Sequence, residues 1–145
     1  MKTVIPLDIV PLGEDNSYHL FVRCSIDGKK YDMLIDTGAS HTIFDASLIP
    51  EIPADEATIN NIQSAGIHAG EVKTSFGHIK KFKLGDLKCK DWTVVLIDLT
   101  HVNELYKKFA DKRVAGLIGS DFLLVYDAII DYKKMKLVLR NIRKK

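Results

Sequence analysis

A chain of 145 residues is long enough for one domain with a hydrophobic core and too short for two comfortable ones. Its 46% hydrophobic and 28% charged residues lie near the average for folded domains, which argues against a disordered, collagenous or membrane-spanning chain. A formal charge of +2 is too mild to imply nucleic acid, and the basic end Arg140–Lys145 reads as a solvated terminus. Pro6 and Asp8 break the opening apolar run before it reaches the ~7 residues of a signal core, and no later stretch nears the ~18 of a membrane helix. Cys24 and Cys89 stand alone, without ligand spacing. They read as two buried thiols, which leans towards a reducing, cytoplasmic setting.

The first clear element is Tyr18–Ile26, whose β-branched and aromatic residues partly alternate as a strand's do. Asp27-Gly28 follows, a two-residue hairpin signal, because a type I′ turn needs positive φ at both central positions. The return strand Lys30–Ile35 runs directly into Asp36-Thr37-Gly38-Ala39-Ser40. A weakly patterned stretch with Pro50 and Pro53 reads as a surface loop or short helix. A second hairpin is predicted from Val72–Leu84 and Leu87–Leu96, turning at Gly85-Asp86.

The period then changes. Val102, Leu105, Tyr106 and Phe109 recur at helical spacing over Thr100–Ala110, with Thr100 as the expected cap. Val114–Gly119 is apolar, and Ser120–Tyr126 reads as a short helix capped by Ser120. Ala128–Asp131 and Met135–Leu139, around a Lys133-Lys134 turn, complete the pattern. Many short strands, one or two helices and no βαβ rhythm predict a single all-β domain over residues 1–145. A structural echo is also visible: a hairpin leads to Ile35-Asp36-Thr37-Gly38, and a second hairpin, with a helix interposed, leads to Leu117-Ile118-Gly119.

The string carrying chemistry is Met33-Leu34-Ile35-Asp36-Thr37-Gly38-Ala39-Ser40. A carboxylate directly after an apolar strand enters a tight turn at the edge of a core, where it can lose water. The glycine allows close backbone approach. On this string alone, a turn-capping Asp36 and a catalytic Asp36 both stand.

With the second motif the chain resembles the retropepsin-type aspartic proteases, one-lobe relatives of pepsin. The resemblance covers about Tyr18 to Leu139. It rests on the apolar-apolar-Asp36-Thr37-Gly38-Ala39-Ser40 string, then Leu117-Ile118-Gly119 followed by a short helix. It implies an acid-protease half-barrel in which the Leu117, Ile118 and Gly119 element packs beside the catalytic loop in a ψ-shaped crossing. It also implies a glycine-containing flap, for which Gly66, Ile67, His68 and Gly70 are the candidates. That flap lacks a pepsin-type tyrosine, and His68 reads as an exposed loop residue.

The resemblance further implies an aspartic endopeptidase. Two carboxylates about 3 Å apart share one proton, so one activates water while the other bonds the carbonyl oxygen. One Asp-Thr-Gly per chain then requires Asp36 from each of two copies, with the site on a twofold axis. Thr37 would link the two loops in the family's fireman's grip, Gly38 would face substrate, and Ala39 stands where pepsin-like lobes carry a serine. Ile118 is either a pocket wall or plain core. The expected partners are a second copy of the chain and a peptide or protein substrate, without nucleic acid, membrane, metal or cofactor. The alternative is a retropepsin-like binding or dimerisation module that no longer cuts, suggested by the atypical flap and by the Thr100–Ala110 helix, an insertion relative to small retroviral subunits.

Neither a phosphate-binding Gly-x-x-x-x-Gly-Lys loop nor a Gly-x-Ser-x-Gly elbow occurs. The five histidines are scattered without ligand spacing. Asp131 reads as a structural turn residue.

Overall fold

The computed structural model describes residues 2–13, 17–53 and 74–140. Eleven strands and two helices are described within them: β1 Lys2–Pro6, β2 Asp8–Leu12, β3 Ser17–Ile26, β4 Lys29–Ile35, β5 Ile43–Asp45, β6 Glu51–Ile52, β7 Ser75–Leu84, β8 Leu87–Ile97, α1 Thr100–Ala110, β9 Val114–Ile118, α2 Ser120–Val125, β10 Ile129–Asp131 and β11 Lys136–Arg140. The expected all-β class is what the chain adopts. No helix among the described residues is long and apolar enough to cross a membrane.

Turn chemistry sets the two hairpins. Asp27 and Gly28 both take positive φ (46° and 91°), so β3 and β4 pair in register from Ile26–Lys29 to Leu20–Ile35. Gly85-Asp86 closes the β7–β8 hairpin in the same two-residue manner, with Leu84 opposite Leu87.

The large sheet runs β2-β3-β4-β9-β5-β8-β7-β6, and an added pairing of β3 with β7 closes it on itself. Closure removes the free edges of the central strands and leaves an interior for side chains. Val22, Cys24, Met33, Ile35, Phe44, Ile79, Phe82 and Leu96 belong to the main core. Phe44, Phe82 and Trp92 meet edge to face at 5.3–5.9 Å between centroids, pairs worth about 0.5–1.5 kcal/mol each beyond their buried area.

A second, three-stranded sheet holds β11 between β1 and β10. The final strand is therefore the central strand of its own chain's sheet. The first strand crosses to the large sheet at Leu7, whose N–H donates to the Met135 carbonyl. Asp131 is a turn residue as expected, accepting the Lys134 N–H at 2.9 Å.

The helix α1 lies where its spacing predicts, but only Tyr106 of its apolar stripe is buried. Leu105 and Phe109 are 45% and 46% exposed. The helix is docked by polar bonds instead. Asn103 donates to the Val114 carbonyl at 3.1 Å and accepts the Val114 N–H at 2.6 Å, completing the edge of β9 much as a strand would. Buried Asp45 accepts from Ser47 N–H and Oγ, Leu99 N–H and Asn103 Nδ2, with Arg113 at 3.7 Å. A buried carboxylate is tolerable because its oxygens are so fully paired.

The cap is also displaced. Leu99 occupies the N-cap, and the Asp98 carboxylate, held below its usual range by Thr100, accepts that residue's N–H at 2.9 Å. Likewise Gly119, not Ser120, is the N-cap of α2, with no side-chain bond.

Of the two cysteines, Cys24 is buried as expected, whereas Cys89 is half-buried. Burial, with the nearby Asp32 charge adding to it, pushes the Cys24 thiol up from 9.0 to about 12. The unfolded chain therefore releases this proton first as pH rises. Stability is expected to fall between about pH 9 and about pH 12. Urea titrations across that window should show the loss, and Cys24→Val should flatten the part of the slope that Cys24 contributes.

Candidate active site

The strands β4 and β9 lie side by side and parallel, with Ile35 opposite Ile118, while β5 runs antiparallel on the other side of β9. Since β4 and β5 are consecutive in the chain, residues 36–42 must pass over the end of β9. This is the ψ-shaped crossing, and it determines where Asp36 sits. The Asp36 N–H donates to the Ile118 carbonyl at 2.9 Å, and the Ser120 N–H donates to the Ala39 carbonyl at 2.8 Å.

Gly119 lies directly beneath the crossing loop. A Cβ there would fall 2.7 Å from the His41 carbonyl carbon and 2.8 Å from the Ala39 oxygen, both backbone atoms. Only glycine lets the two segments approach this closely.

Within the loop, Asp36 Oδ1 accepts the Gly38 N–H at 3.0 Å, and its backbone carbonyl accepts the Ala39 N–H at 3.1 Å. The capping role of Asp36 and an exposed carboxylate edge are thus compatible: one oxygen holds the turn while the side chain remains partly accessible. Thr37, Gly38 and Ser40 are exposed, and Ala39 is half-buried. Ser40 Oγ lies 3.0 Å from His41 Nδ1. Ile118 is 1% exposed and belongs to the core, so of its two expected roles the structure favours packing; Leu117 is half-buried beside it. The flap candidates Gly66, Ile67, His68 and Gly70 lie outside the described residues.

Two further residues brace the loop from behind. Thr42, 6% exposed, donates its hydroxyl to Asp121 at 2.8 Å and its N–H to the same carboxylate at 3.1 Å. The Thr42 hydroxyl also accepts the Gly119 N–H at 3.0 Å. Thr42→Val leaves that buried N–H unpaired and is expected to cost about 1–3 kcal/mol in chemical denaturation. The sequence held no local signal for this brace, since its members are 79 residues apart.

A cavity of about 450 Å³ opens beside Asp36, lined also by Tyr18, His19, Leu20, Leu34, Ile35, Thr37, Tyr106, Ile130 and Tyr132. Asp36 is the single acid among its described lining residues. Tyr106 Oη is 2.8 Å from His19 Nδ1. Burial raises the Tyr106 phenol above its usual range, and the Asp36 charge adds to the shift. The helical spacing had singled out Tyr106 only as core.

An acid presented at the end of an apolar strand, with no ion-pair partner among the described residues and a cavity alongside, is chemically suited to proton transfer with a bound ligand. Among known proteins, the aspartyl protease family matches residues 22–122, which include both the Asp36 loop and Gly119. No curated protein sequence matches the chain. Among solved structures, a retropepsin-like aspartic protease from Rickettsia conorii aligns at 15% identity over 96% of this chain and 92% of that one, with a TM-score of 0.45. The retroviral protease-like domain of Ddi1 from Leishmania major aligns at 17% identity over 86% and 90%, with a TM-score of 0.48. By its family match over residues 22–122, the chain belongs to the aspartyl protease family.

Proposed function

We propose that the protein is an aspartic endopeptidase whose reactive centre joins Asp36 to the partner's Asp36 in a homodimer. The observation that carries this reading is the presentation of Asp36: partly exposed, beside exposed Thr37 and Gly38, and the one acid on the described wall of its cavity. A single carboxylate cannot both take a proton from water and supply one to the amide. Two of them at a twofold axis can, because close carboxyl groups retain one shared proton. In that cycle one Asp36 draws the proton from the attacking water while the protonated mate bonds the substrate carbonyl. Proton return to the leaving nitrogen then completes hydrolysis.

The surface around Thr37 supports the dimer. Leu124, Val125, Ile129 and Tyr132 are 79%, 60%, 60% and 64% exposed, a large apolar share for a water-facing surface. Ile129 and Tyr132 belong to or adjoin β10, an edge of the three-stranded sheet, and such an edge offers unpaired backbone groups to another strand. Thr37 shares a surface depression with Leu124 and Ile130, so a second copy docked here would bring the two Asp-Thr-Gly loops together.

Sedimentation equilibrium with and without a pepstatin-like transition-state mimic tests the assembly. The reading expects a species of twice 16.3 kDa that the mimic strengthens. A chain that stays monomeric at every concentration, mimic included, leaves only the non-cutting binding module.

A further inference from the structure

We propose that the His19–Tyr106 pair is the specificity-determining floor of a substrate subsite next to Asp36, selecting a large side chain tipped with a hydroxyl or amide. The inference rests on the endopeptidase reading above and adds the residue class that reading leaves open.

The cavity lined by His19, Tyr106, Leu34, Asp36, Ile130 and Tyr132 has about 450 Å³, within the range of ligand pockets. Its described lining carries no ammonium or guanidinium group and no carboxylate besides Asp36. A charged substrate side chain therefore finds no counter-charge there except the reacting acid itself. Among the polar groups it does find, the Tyr106 hydroxyl and the His19 ring are held against each other. Tyr106 is anchored by its ring, which meets Phe21 edge to face at 5.2 Å, and by its hydroxyl at 2.8 Å from His19 Nδ1.

In the tautomer whose Nδ1 accepts from the phenol, the His19 ring carries its proton on Nε2. The pair then offers one N–H donor and the phenol oxygen's remaining lone pairs. A tyrosine hydroxyl or a glutamine amide can use both. An aliphatic or phenyl side chain of equal size strips them of water without replacement, and a site built to hydrogen-bond its ligand discriminates against the analogue lacking that group. The helix α1 supplies Tyr106, which gives the inserted segment a role in substrate choice.

Peptides selected by cleavage from a random library, remade with Tyr or Phe at each residue flanking the cut bond, test the inference. Wild type should favour the Tyr peptide over the Phe peptide by about tenfold in kcat/KM at one or both flanking positions. Tyr106→Phe keeps the ring contacts and removes the hydroxyl, so it should bring the Tyr/Phe ratio close to one. An unchanged Tyr/Phe ratio in the variant, or equal slowing of both peptides, overturns the subsite. If no library peptide is cut, calorimetric Kd values for Tyr- and Phe-containing peptides of the same library replace the rates. Tyr-selective binding lost in Tyr106→Phe then upholds the subsite and removes only the proteolytic reading. Equal binding, or none, overturns the subsite.

Discussion

Replacing Asp36 by asparagine is expected to lower kcat/KM for peptide cleavage by about 10³-fold or more, with little change in unfolding free energy. The two halves of this expectation come from different atoms of one side chain. Asn Oδ1 can still accept the Gly38 N–H that Asp36 Oδ1 accepts at 3.0 Å, and the backbone bond to the Ile118 carbonyl is untouched. What is lost is the exchangeable acid proton, on which both water activation and carbonyl polarisation depend in the proposed cycle. Parallel measurement of library cleavage and of the urea midpoint checks the pair of outcomes. Full activity in Asp36→Asn would take the residue out of the reaction. Lost activity with a collapsed midpoint would show that its turn-forming role dominates.

The second large effect concerns the ψ-crossing. Alanine at Gly119 places a Cβ 2.7–2.8 Å from the backbone of Ala39 and His41, and no rotamer change can relieve a clash with backbone. Alanine at Gly116 drives a Cβ into the Ile43 carbonyl, with Met33 Cε at 3.0 Å and Phe44 Cα at 3.2 Å. Overpacking of this kind costs typically about 1–3 kcal/mol, and a clash with fixed backbone sets the upper end as the expectation for each substitution. The two should differ in activity. Gly119→Ala lifts the loop that carries Asp36 and should reduce cleavage even well below the melting temperature. Gly116→Ala strains β5 against β9, further from the loop, and should lose mainly stability. Denaturant curves and cleavage rates for both variants decide the point; equal activity loss would mean that the crossing transmits strain along its whole length.

The same contrast explains how much was legible in the sequence. Asp27-Gly28 and Gly85-Asp86 predicted both hairpins because a two-residue turn is set by its own backbone preferences. The Asp36-Thr37-Gly38 turn was legible from its own string, whereas Gly119 was legible only through the family resemblance, because the groups that demand glycine there, Ala39 and His41, are distant in sequence. The short β5 was not legible, since three residues carry no period and pair with strands more than 50 residues away. The same is true of β1, whose partner β11 is at the opposite end of the chain.

The helix stripe misled in a more informative way. Leu105 and Phe109 have helical spacing with Tyr106, yet both remain half-exposed because α1 is fastened through Asn103 and the Asp45 cluster. Apolar spacing reveals a helix but not which bonds dock it. Within the candidate site, Asp36 was legible and its bracing by Thr42 and Asp121 was not, because hydrogen bonds between residues 79 apart exist only once the crossing has formed. The pairing of His19 with Tyr106 has the same character at a separation of 87.

The shared-proton dyad is tested most directly by mixing subunits. Wild-type chains unfolded and refolded together with an equal amount of Asp36→Asn chains, at fixed wild-type quantity, should retain about half of the original activity, because random pairing puts half of the wild-type chains into one-acid dimers. Activity that stays whole after exchange of subunits has been verified would mean that each chain works with its own Asp36 alone, and would contradict the dyad.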